Sequence, residues 1–245
     1  IGQNITTRKV PPMKSVVLGI GLALTCSLCA PLHALTLTVP GTANPWLAGM
    51  PDGATASQDS APAQAPIMID LSQLGAGNFL TFTALGATDN GGGLTFGPDG
   101  DDSGWVIEHA YGAENGIASS SLPFLSLTGV FLDESQPDGA ATPAPLDYNS
   151  LTTSFTSFAA QLKQPFFIGD GLSGNGTGAI QHFLIPTHAT RLYLGTADGY
   201  GWNNNGGLLL VSVSAVPTPA NAWVMVAGLA LFGVMASRKR YITGH

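Results

Sequence analysis

Between residues 35 and 215 the sequence has no cysteine and only two basic residues, Lys163 and Arg191. Without cysteine there can be no disulfide, no thiolate nucleophile and no Cys-ligated zinc, so any stabilising cross-link there must be a metal bound through oxygen. The two cations face fifteen carboxylates, running from Asp52 to Asp198. A surface of that sign repels nucleic acid and anionic membrane. It suits hard cations held by oxygen ligands, and it equally suits plain solubility. Charged residues make up only 9% of the chain while glycine reaches 32 residues, a balance expected of one exported domain and not of a cytosolic enzyme.

Helical periodicity is missing from this stretch. Alternating runs take its place: Leu35–Val39, Phe79–Thr83, Leu125–Leu127, His182–Ile185, Leu192–Leu194 and Leu208–Val213. Turn signals separate them at Gly91–Gly93, Pro98–Gly100, Gly169–Gly171 and Gly199. Residues 35–215 are therefore expected to form one all-β, antiparallel β-sandwich of about eight or nine strands. Ala54–Pro66 and Gln136–Pro145 are poor in large apolar residues and are expected to be long surface loops.

Both ends read as addresses. Residues 1–12 look like translated upstream sequence, and 13–34 read as a signal peptide: Lys14, an apolar run from Val16 to Ala30, and small residues at Ala30 and Ala34 for cleavage. Cys26 and Cys29 fall inside it, without a convincing lipoprotein pattern. Residues 216–245 begin Val216-Pro217-Thr218-Pro219, continue uncharged to Ser237 and then read Arg238-Lys239-Arg240. That apolar stretch is long enough for one transmembrane helix, and the basic triplet places the acidic domain outside. This tripartite end resembles the PEP-CTERM sorting signal of Gram-negative bacteria, with Thr218 where the usual Glu stands. The resemblance implies recognition by an exosortase, transient inner-membrane anchoring and delivery to the cell surface or matrix.

The richest chemical segment is Asp198-Gly199-Tyr200-Gly201-Trp202-Asn203-Asn204-Asn205-Gly206-Gly207. One carboxylate, three amide oxygens and a glycine-loosened backbone give the oxygen set that Ca²⁺ takes, and the segment lies between two strand patterns, as expected of a hairpin loop. A polar turn in which Asn and Gly only tolerate positive φ explains the same residues. Asp99-Gly100-Asp101-Asp102 with Trp105 reads as an acidic turn before a buried tryptophan, or as a second cation loop or sugar rim. Glu108-His109 has no nucleophile beside it and does not suggest catalysis. Gly174–Gly178 lacks the setting of a phosphate loop and is expected to be flexible.

Residues Ile185–Gly195 followed by Asp198–Val213, with Phe96-Gly97-Pro98-Asp99-Gly100-Asp101 earlier in the same order, resemble the calcium-dependent galactophilic bacterial lectin family. The resemblance covers most of residues 67–213. It implies a jelly-roll or galactose-binding-like sandwich, one Ca²⁺ and a galactose-like or exopolysaccharide glycan, with no enzymatic activity. Carried over, Asp198, Asn204 and Asn205 supply side-chain ligands, with Asn203 as the alternative one residue away; Gly201 and a residue near Asn90 supply carbonyls. Tyr200 and Trp202 would stack on sugar and Asp101 would border it. The loop is one residue shorter than the lectin's. The competing reading is a structural surface protein of biofilm matrix, in which calcium only stiffens the fold.

Overall fold

The computed structural model describes residues 34–216. Apart from Ala34 and Val216, the expected signal peptide and sorting signal, with its transmembrane helix, lie outside the described residues. Among the described residues seventeen strands occur, and no α-helix. In chain order they are β1 (Ala34–Pro40), β2 (Thr55–Ala56), β3 (Asp59–Ser60), β4 (Ile67–Asp70), β5 (Phe79–Asp89), β6 (Thr95–Phe96), β7 (Val106–Glu108), β8 (Ser120–Pro123) and β9 (Leu127–Leu132). They continue as β10 (Leu146–Asp147), β11 (Ser157–Phe158), β12 (Phe166–Phe167), β13 (Leu172–Gly174), β14 (Thr177–Ile180), β15 (His182–Leu184), β16 (Arg191–Thr196) and β17 (Gly206–Val216). Helical structure among the described residues is confined to four 3-10 turns, at Pro45–Leu47, Leu71–Leu74, Pro137–Gly139 and Trp202–Asn204. Among the described residues no helix is long and apolar enough to cross a membrane.

A first sheet runs in the order β1-β17-β5-β15-β11, with β6 added to β5, and a second runs β12-β9-β16-β4. Alternation decides how they face. On β17, Leu209, Val211, Val213 and Ala215 point in while Leu208 and Leu210 point out; on β5, Leu80, Phe82 and Ala84 point in. These residues meet Ile69, Leu127, Phe131, Phe166, Leu192 and Leu194 of the second sheet in one core. At about 25 cal/mol per Å² this shared apolar face is the main source of stability. β9 is buried along its whole length, because the second sheet is covered on its other face too. There Val130, Leu132 and Tyr193 pack against Trp46, Leu47, Ala56, Ala61 and Trp202.

That covering layer corrects the expectation for Ala54–Pro66. Instead of a surface excursion the segment forms the β2–β3 hairpin, and its small side chains let the backbone lie close on the sheet: Ala56 and Ala61 are buried. Gln136–Pro145 is mostly exposed as expected, although Pro137 is buried. Gly174–Gly178, expected as a flexible loop, instead forms the end of the β13–β14 hairpin, with Gly174 paired to Thr177 and Asn175-Gly176 as the turn. Pairing is also not uniformly antiparallel: β8 with β10 and β11 with β15 are short parallel pairs. Both are two-residue pairings made by connecting segments, which carry too few residues for a period to be read from sequence.

Candidate functional site

Residues 197–205 do not close a hairpin. β16 belongs to the second sheet and β17 to the first, so the segment arches from one sheet to the other. A period-two pattern identifies strands but not their partners, which is why the hairpin expectation failed. The start of the arch is held by two backbone bonds, Ala197 N–H to Ser126 O at 2.9 Å and Ala110 N–H to Gly199 O at 2.9 Å. Its turn starts at Gly201, whose φ of 72° is left-handed and therefore suits glycine. Gly201 O accepts Asn204 N–H at 3.3 Å, and Trp202 O accepts Asn205 N–H at 3.0 Å.

Asp198 is partly buried at the start of the arch, and its Oδ1 accepts Gly199 N–H at 2.5 Å. Burial pushes this carboxyl above the usual carboxylate range; hydrogen bonds from the Asn205 side chain and from Gly199 and Tyr200 oppose that, and nearby Asp59 adds to it. Asn205 is 7% exposed and donates Nδ2–H to Gly41 O at 3.2 Å. Its Oδ1 is buried with no hydrogen-bond partner among the described residues. An amide oxygen left that way costs about 1–3 kcal/mol, so it calls for a ligand of positive character or a water. Asn203 and Asn204 are exposed on the same turn. The Asn90 loop reaches this arch: a Cβ on Gly91, where φ is +66°, would lie 2.3 Å from Asn204 O. Asn90 itself is occupied locally, its Oδ1 accepting Gly92 and Leu94 N–H groups at 3.0 and 3.2 Å.

The chain thus brings Asp198, Gly201, Asn203, Asn204, Asn205 and the Asn90 loop into one region. Among the described residues no three His, Cys, Asp or Glu gather to hold a metal. An ion at the arch would rest on one carboxylate with amide and backbone oxygens, a donor set for Ca²⁺ and not for a transition metal. The two cations of the domain are engaged elsewhere, Lys163 with the carbonyls of Ala140 and Ala141 and Arg191 with those of Asp133 and Ser135.

One expected sugar contact is corrected. Trp202 is fully buried, donating Nε1–H to Thr196 O at 2.9 Å, and it packs with Trp46 and His109 at centroid distances of 5.6 and 5.8 Å. Its ring faces belong to the covering layer, so it has no face for a sugar. Asp101 lines a cleft of about 470 Å³ with Asp99, Asp102, Tyr148 and Leu151. Tyr200, by contrast, is 55% exposed, and Tyr111, which follows the residue bonded to Gly199, is 51% exposed.

Within the same cleft Asp99 is pushed up to about 6 by burial, with the charges of Asp170 and Asp102 adding and the Asp170 N–H opposing. Trp105 is half-exposed against Phe124, not the buried residue expected after the acidic turn. His109 pairs with Glu114 at 2.8 Å and not with its neighbour Glu108, which is exposed. Burial pushes its imidazole below the usual range against the pull of Glu114. The residue missed by sequence reasoning is Asp59, a 2% exposed carboxylate bonded to the arch. Its surroundings of Ala, Ser, Gln and Pro gave no sign of it. No known protein family and no curated protein matches the chain.

Proposed function

We propose that residues 35–215 form a Ca²⁺-dependent carbohydrate-binding module of the jelly-roll or galactose-binding-like kind, a binder and not an enzyme. The observation that carries this is the unpartnered, buried Oδ1 of Asn205 beside the partly buried, cation-free carboxylate of Asp198. Asp198, Asn204 and Asn205 would hold the ion by their side chains, with Asn203 as the alternative amide and carbonyls from Gly201 and the Asn90 loop. Bound Ca²⁺ would neutralise Asp198 and offer coordination positions to the hydroxyls of a galactose-like or exopolysaccharide glycan. Exposed Tyr200 and Tyr111 supply faces on which a sugar ring can stack.

The reading includes export and display. Ala34 lies opposite Ser214, so β1 enters and β17 leaves at one end of the first sheet, while the arch feeds the other end of β17. An eleven-residue strand spans about 35 Å, so an exosortase-type anchor following Val216 would present the arch away from the membrane. Burial of Trp202 favours a second reading, a structural matrix protein in which calcium stiffens the arch and no sugar binds. Immobilised galactose-containing polysaccharide separates the two: retention in Ca²⁺ that is lost in chelator is expected, and no retention in either would leave only the structural role.

A further inference from the structure

We propose that Asp59, on β3 of the covering hairpin, is the positioning residue of the arch, an inference that rests on the calcium reading above. Its Oδ2 accepts Trp202 N–H at 3.0 Å and its Oδ1 accepts Asn203 N–H at 2.9 Å. Asn44 Nδ2–H completes the set on Oδ2 at 3.0 Å. Two successive backbone donors on one carboxylate fix the first residues of the 3-10 turn, much as an acidic cap fixes a helix start. The turn's direction then determines where Asn204 and Asn205 emerge.

The hairpin is itself pinned. Glu114 accepts Ser57 N–H and Oγ–H, each at 2.8 Å, and Asn115 Nδ2 donates to Thr55 O and Trp46 O at 3.0 Å. Asp59 is therefore presented by a rigid element, not by a mobile tail. Its carboxylate also lies close enough to act electrostatically on Asp198. A carboxylate that orients ligands from behind in this manner governs metal affinity through geometry and field.

The test compares wild type, Asp59→Asn, Asp59→Glu and Ile69→Val, the last a core truncation on the far side of the second sheet. Calcium affinity is read by calorimetry, and amide exchange at Trp202 and Asn203 is read in chelator. Asp59→Asn keeps the shape but removes the charge and one acceptor, and should weaken Ca²⁺ binding at least about 10-fold. It should also lower protection of those two amides relative to β9, whereas Ile69→Val should alter neither selectively. Asp59→Glu retains the charge on a longer arm and should fall between; it carries the test if Asp59→Asn does not fold. Wild-type affinity and wild-type protection in the Asp59 variants would overturn the proposal. If wild type itself binds no Ca²⁺, the calcium reading fails, and the positioning role is then decided by exchange at Trp202 and Asn203 alone.

Discussion

Asp99 and Asp198 are both carboxylates held out of water without a cation, and their different neighbours assign them different consequences. Asp99, pushed up to about 6, ionises in the folded protein only against burial and the charges of Asp170 and Asp102. A carboxyl whose folded pKa lies above its unfolded value destabilises the fold once ionised, so this contribution is lost from stability as pH rises from about 4 through about 6. Asp99→Asn keeps the acceptor for Asp170 N–H, which Oδ1 of Asp99 meets at 2.9 Å. It should be more stable than wild type above pH 7 by about 1 kcal/mol, allowing for solvent screening, which is about 2–4 °C in a domain this size. At pH 3.5 or so the two melting curves should coincide. The aromatic residues divide in the same manner. Trp202→Ala opens a cavity under the second sheet and should cost about 3–5 kcal/mol. Tyr200→Ala and Tyr111→Ala should leave folding intact and weaken glycan retention, with the calcium response unchanged.

At the scale of elements, β1, β5, β16 and β17 were legible because each alternates strictly over five or more residues or carries β-branched and aromatic side chains. The β2–β3 hairpin was not, because its burial comes from alanines that weigh little in any hydrophobic pattern. The candidate ligands Asp198, Asn204 and Asn205 were legible since they lie within eight residues of one another. Asp59 was not, since it meets Trp202 across 143 residues of sequence. Nor could spacing show that Trp202 turns inward, because the 3-10 turn that aims it depends on that same distant carboxylate. The approach of the Asn90 loop to the arch makes a further prediction. Gly91→Ala would place a methyl against Asn204 O at a backbone angle disfavoured for alanine. It should destabilise by about 1–3 kcal/mol and weaken calcium binding together, readable in one melting series with and without Ca²⁺.

At the scale of the whole molecule, the two packed sheets and their covering layer build a frame in which Asp198 and Asn205 sit where the chain crosses between sheets. The domain carries fifteen carboxylates against two engaged cations, a charge balance of the sign that attracts divalent ions. The central claim is that Asp198 and Asn205 bind Ca²⁺ in the folded state, and thermal melting in Ca²⁺ against melting in chelator tests it most directly. An ion that binds only the folded chain raises the melting temperature by mass action, by about 2.7 kcal/mol of stability at 100 times its dissociation constant. Wild type should melt higher in Ca²⁺ than in chelator, and Asp198→Asn, which keeps the shape and one oxygen but deletes the charge, should lose most of that difference. Superimposable wild-type curves in Ca²⁺ and in chelator would contradict the account.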